Sequence, residues 1–158
     1  MRRSSRWSDR IPAWFRDDAG SAALEFIVAG LVLLVPLVYL VVALGMIQGH
    51  ALGAETAARH AARAVSTASG PAAADARMRA VVTQVAGEYG VDPERMSADL
   101  SCLGPAPECP AAGATVAVTV RVVVPLPLVP PVLGLDRVAA VPVEAAAAQK
   151  MSRVWGGG

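Results

Sequence analysis

Glu25 makes the heaviest demand on its surroundings of any residue in this chain. It stands in GSAALEF, directly ahead of residues 26–47, FIVAGLVLLVPLVYLVVALGMI, whose one ionisable group is the phenol of Tyr39. A carboxylate drawn to the edge of so apolar a run, or into it, costs several kcal/mol unless a cation compensates it. Two readings are open. As an acid at the start of a helix, Glu25 favours the macrodipole and stays among lipid headgroups; as half of an ion pair, it waits for a cation from elsewhere.

The other reactive groups are few. Cys102 and Cys109 are the only two cysteines, and the LGPAPE between them holds two prolines and a glycine, so a turn can bring them together. A disulfide is expected if this segment is exported, and closing so short a loop contributes about 2.5 kcal/mol by the chain-entropy relation. Free thiols are the alternative. Two thiol ligands with no histidine nearby do not complete a metal tetrahedron. His50 and His60, ten residues apart, would lie about 15 Å from each other along a helix, too far to share an ion. No Gly-rich phosphate loop, HExxH motif or Ser-His-Asp set stands out. The expectation is a protein that is no enzyme, with no catalytic residues, cofactor or metal.

Composition narrows the class. Hydrophobic residues are 54% and charged residues 17% of the 158, against about 25% charged in soluble domains, and mean hydropathy is +0.48. This balance is weighted towards membrane. A net charge of +1 with no long Lys/Arg run argues against nucleic acid, which is held through many phosphate contacts. At about 1.5 Å per residue, residues 26–47 would reach about 33 Å as a helix, enough for a hydrocarbon core of about 30 Å. Pro36 in the middle predicts a kink that membrane helices tolerate. The alternative, a buried core helix of a soluble protein, leaves too little chain to wrap it.

The flanks predict orientation. Arg2, Arg3, Arg6, Arg10 and Arg16 precede the span, against Asp9, Asp17 and Asp18, whereas Glu55, Arg59 and Arg63 are the first charges after it. The positive-inside rule keeps the N-terminus in the cytoplasm and exports residues 48–158, with Trp14 and Phe15 at the interface. Membrane lipid is the first expected partner, and localisation is the cytoplasmic membrane, single-pass.

Beyond the span the helical pattern continues through the alanine-rich GHALGAETAARHAARAVSTAS, to the Ser69-Gly70-Pro71 stop. One helix over about 21–67 is expected, and a second over about 72–89, where Met78, Val81, Val82, Val85 and Tyr89 share a face. In ATVAVTVRVVV, residues 114–124, valines alternate with Thr115, Ala117, Thr119 and Arg121, the period of a strand buried on one side. Residues 96–102 and 137–144 are further strand candidates, and Pro142 consigns the latter to an edge. Residues 125–134 read as an extended connection.

The expected fold class is α+β: a long N-terminal transmembrane and stalk helix, then a small exported head with one helix and a short antiparallel sheet. The expected division is a basic cytoplasmic leader over 1–20, the transmembrane and stalk helix over 21–69, the head over 70–148 and a mobile tail over 149–158.

The run Gly20-Ser21-Ala22-Ala23-Leu24-Glu25-Phe26 resembles the processing site of class III signal sequences, carried by type IV pilins and pseudopilins. In that family a short basic leader is removed after glycine on the cytoplasmic face, and glutamate stands fifth in the mature chain. With the apolar helix and AETAARHAARA behind it, SAALEF looks like the TadE-like branch of the tight-adherence pilus system, whose small pseudopilins assist assembly of a thin adhesive pilus. The resemblance covers about residues 16–65. It implies cleavage between Gly20 and Ser21 by a prepilin-type peptidase, and assembly through Glu25 and Phe26 with other pilins or pseudopilins and the inner-membrane assembly machinery. The new Ser21 amine could then meet Glu25 of a neighbouring subunit. Asp17-Asp18-Ala19 before the glycine departs from the commoner basic form.

Gly45, Gly49 and Gly53 repeat at four-residue spacing, which places small residues on one helix stripe where helices can approach closely. Glycine's general frequency in membrane helices explains the same residues, as does a local loosening costing about 1 kcal/mol per glycine relative to alanine. The functional expectation is a TadE-like minor pseudopilin supporting assembly of an extracellular pilus or related secretion assembly. The alternative is an exported binding module, either permanently anchored or released by signal peptidase near Ala51-Leu52-Gly53.

Overall fold

The computed structural model describes residues 18–104, 108–129, 134 and 138–156; most of the expected leader lies outside them. Asp18–Ser66 form one α-helix, α1, with Pro36 inside it. The chain divides into two units, 1–41 and 42–158.

In the first unit the described residues are the apolar part of α1. Apart from the half-buried Tyr39, its large side chains are exposed, Phe26 at 80% and Leu33 at 72%. Among the described residues of this unit none is buried, whereas the core helix of a soluble protein is mostly buried. The helix is long and apolar enough to cross a membrane once.

The second unit is a small domain built on the last turns of α1. After the Gly70-Pro71 entry, where proline takes the first helical position, α2 spans Pro71–Glu88. A short 3-10 turn, Pro93–Arg95, is capped by the Asp92 side chain, which accepts from the Glu94 N–H at 3.0 Å. Three strands follow, β1 Met96–Leu103, β2 Thr115–Pro125 and β3 Ala140–Lys150, in an antiparallel sheet of order β1-β2-β3. The expected α+β class is the observed one.

Alternation in β2 accounts for the core. Val116, Val118, Val120, Val122 and Val124 are at most 1% exposed, and the intervening residues face away. Against them α1 sets Ala54, Ala58, Ala61 and Val65, spaced by three and four so that they fall in one stripe, and Ala68 just beyond the helix joins the same cluster. α2 adds Met78, Val82, Val85 and Ala86 to the same cluster. Both helices therefore cover one face of the sheet, and the other meets solvent.

α2 ends by a complete Schellman motif: Gly90, at φ 65°, donates to Gly87 O at 3.4 Å, and Val91 donates to Ala86 O at 2.8 Å. Val91 and Ala86 are both buried, which supplies the apolar contact that such a stop uses.

The third strand corrects the expected boundaries. It runs over Ala140–Lys150 rather than 137–144, because β2 pairs along its whole length, from Thr115 opposite Lys150 to Pro125 opposite Ala140. Alanine has little strand preference of its own, so Ala145–Ala148 are recruited by the partner strand. The pairing continues as Met151 N–H donates to Ala114 O and Gly113 N–H to Ser152 O. Met151 is buried and Trp155 packs on the core. Strand pairing thus extends beyond Gln149, where the tail was expected to begin. Of the expected connection over 125–134, residues 130–133 lie outside the described residues.

Candidate functional site

Gly20 and Ser21 lie in the first turn of α1, which begins at Asp18. First-turn N–H groups have no intrahelical acceptor, so this is where a helix unwinds most cheaply. Four residues on, Glu25 is one helical turn away and on the same side, about 6 Å along the axis. Its side chain is exposed and, among the described residues, makes no hydrogen bond or ion pair. Phe26 beside it is also exposed. A carboxylate without a partner at the head of an apolar helix is therefore a feature of the folded chain as well as of the sequence.

The three glycines of the stripe have different surroundings. A Cβ placed on Gly45 or Gly49 would meet nothing within 4 Å, whereas one on Gly53 would lie 3.0 Å from Tyr89 Cγ. Tyr89, at the end of α2, also brings its hydroxyl 3.3 Å from Thr56 Oγ1. Gly53 is thus occupied inside the chain, and of the stripe only Gly45 and Gly49 stay open. Spacing alone could not separate them, because the residue that fills the gap is 36 positions away in sequence.

Cys102 and Cys109 are joined, with Cα atoms 5.7 Å apart, and the free-thiol alternative does not hold. The bond ties the end of β1 to the segment that leads into β2.

On the solvent face, Arg121 of β2 bridges both neighbouring strands, donating to Glu144 Oε2 at 2.7 Å and to Asp99 Oδ2 at 2.6 Å. Glu144, through its hydrogen bond and its charge, holds the guanidinium pKa above its ordinary value, with Asp99 adding to this. No sequence pattern marks this trio. It follows from register, since Arg121 stands opposite Ser97 on β1 and Glu144 on β3, with Asp99 one pleat further along the same face.

His50 is half-buried, with Nδ1 enclosed and without a partner, as is Nε1 of Trp155. Among the described residues no three His, Cys, Asp or Glu side chains gather as a metal site would require. No protein-family model matches the chain, and comparisons with the curated proteins and with the solved structures give no match.

Proposed function

We propose that this chain is a TadE-like minor pseudopilin, a structural subunit that enters the cytoplasmic membrane with its leader inside. After cleavage following Gly20 it joins or primes an extracellular pilus or a related secretion assembly. The observation that carries this reading is Glu25, an unpartnered carboxylate one turn beyond Ser21 at the head of an outward-facing apolar helix. Such a charge is expensive beside lipid. Cleavage would create a cation at the Ser21 amine, and stacking of subunits would bring one chain's amine to the next chain's Glu25. The carboxylate then sets subunit register.

A permanently anchored binding module is the second reading, favoured by a head with its own core and disulfide. Release by cleavage near Gly53 is disfavoured, because α1 continues through that point and Gly53 and Ala54 are both buried. Mass spectrometry of the mature N-terminus separates the three. Ser21 is the expected first residue, Met1 would indicate a permanent anchor, and a residue near Ala54 a secreted module.

A further inference from the structure

β3 is an edge strand whose outward backbone groups can be identified. The bonds from Met151 N–H to Ala114 O and from Leu126 N–H to Ala139 O fix which residues of β3 pair directly with β2. Alternation then turns Val141, Val143, Ala145, Ala147 and Gln149 towards β2. Pro142, Glu144, Ala146, Ala148 and Lys150 turn their backbone groups to the free edge. Pro142 agrees with this, since its missing N–H falls where no ladder bond is lost. Among the described residues, the edge groups of Glu144, Ala146 and Ala148 have no partner. No charge, proline or bulge blunts the edge at Ala145–Ala148, where edge strands commonly carry one.

Beside this edge runs a groove walled by α1. One section, about 250 Å³, lies between Glu55 and Arg59 and residues 144–146. The next, about 580 Å³, lies between Arg59, His60, Arg63 and Thr67 and residues 147–149. Helix and strand therefore advance in the same direction, and residues 55–67 at about 1.5 Å each cover nearly the distance that residues 144–149 cover at about 3.3 Å each. The groove is as long as one more strand.

Its charge is uneven. Arg59 is engaged by Glu55 at 2.8 Å, whereas Arg63 and His60 make no ion pair or side-chain hydrogen bond among the described residues. The nearby carbonyls at the end of α1 are taken: Arg63 O accepts from Ser66 Oγ and Thr67 O from Arg77. A cation is thus left without a counter-charge beside unpaired backbone groups.

We infer that the free edge of β3 takes up an extended segment of a partner protein as a fourth strand, with an acidic side chain of that segment facing Arg63. Main-chain bonds to Glu144, Ala146 and Ala148 would supply affinity, and Arg63 with His60 would select the carboxylate. Small side chains suit the positions over the alanines.

The test uses the full chain in lipid nanodiscs, labelled with ¹⁵N, and the synthetic hexapeptide acetyl-Thr-Val-Glu-Val-Thr-Val-amide, with a lysine-for-glutamate counterpart as control. The acidic peptide is expected to shift the amides of Glu144, Ala146 and Ala148 and the lysine peptide to leave them unmoved. Arg63→Glu and Ala146→Pro should each weaken binding by about tenfold or more. Proline at 146 removes only an outward N–H, so unchanged Ala145 and Ala147 amides certify the fold of that variant. The inference is overturned by the absence of edge shifts, by equal binding of the lysine peptide, or by undiminished binding to Ala146→Pro. Edge shifts that grow with protein concentration and need no peptide would assign the edge to a second copy and likewise overturn it. None of these outcomes depends on leader cleavage, so the proposed function stands or falls separately.

Discussion

Gly53 lies against the ring of Tyr89, so close that a Cβ on the glycine would stand 3.0 Å from Cγ and 3.2 Å from Cβ of the tyrosine. This contact joins the two helices of the head, and the Schellman stop after α2 holds the tyrosine in place. Gly53→Leu should therefore lower head stability by about 1–3 kcal/mol through overpacking. Gly49→Leu has open space around it and should leave the head's denaturation midpoint unchanged. If Gly45 and Gly49 contact another helix, Gly49→Leu should instead weaken association in membranes. Chemical denaturation of both variants, with cross-linking in membranes, reads the two effects separately. Equal destabilisation by both would remove the distinction drawn between the glycines.

The Cys102–Cys109 bond closes a loop with a sequence separation of 7. Alkylation without prior reduction should label neither cysteine, and labelling should appear after reduction. Replacing both cysteines by serine should cost about 2.5 kcal/mol by the chain-entropy relation. A loss near zero would mean that the unfolded chain already keeps the two ends together.

Arg121 is exposed, so its pairing with Glu144 and Asp99 should respond to salt. The thermal midpoint difference between wild type and Arg121→Ala should shrink as ionic strength rises from about 0.1 M to about 1 M, where the Debye length falls from about 10 Å to about 3 Å. The arginine's pKa is raised in the folded state, so its contribution is fully present below its unfolded pKa and is lost only as pH climbs through the folded value. That window lies well above the physiological range. Deprotonation of Arg121 should therefore produce no change between neutral pH and about pH 10. A difference that is insensitive to salt would indicate that Arg121 acts through packing of its stem.

Glu25→Ala is the variant on which the proposed function turns. On the proposed reading the apolar run and the arginines before it direct insertion, so this variant should insert normally and still be cut, yet fail to assemble with its partners. Gly20→Leu should insert and remain uncut. A macrodipole acid alone contributes about 0.3–1 kcal/mol, and its removal would leave assembly nearly intact. Normal pili or cross-linked complexes with alanine at position 25 would sink the pairing mechanism.

Local pattern carried most of the architecture. A long apolar run, an alanine stripe, a Gly-Pro break and one strict valine alternation each act through neighbours within a turn or a pleat, so α1, α2 and β2 were legible from sequence to within a few residues. Pro142 marked an edge strand for the same reason, since a missing N–H needs no tertiary context to be felt. Cysteine spacing likewise made the 102–109 bond legible.

Tertiary structure decided what depends on partners distant in sequence. Alanines 145–148 have no preference strong enough to declare a strand, and β2 imposed one by offering a full ladder of hydrogen bonds. Gly53 and Gly49 are indistinguishable by spacing, and only the return of α2 brought Tyr89 to one of them. Arg121, Asp99 and Glu144 meet because antiparallel register places them on one face, and the groove beside Arg63 exists because α1 follows the edge of β3. Glu25 belongs to the other kind: its cost is already set by the apolar residues that follow it, because a charge beside lipid needs a counter-charge however the head folds.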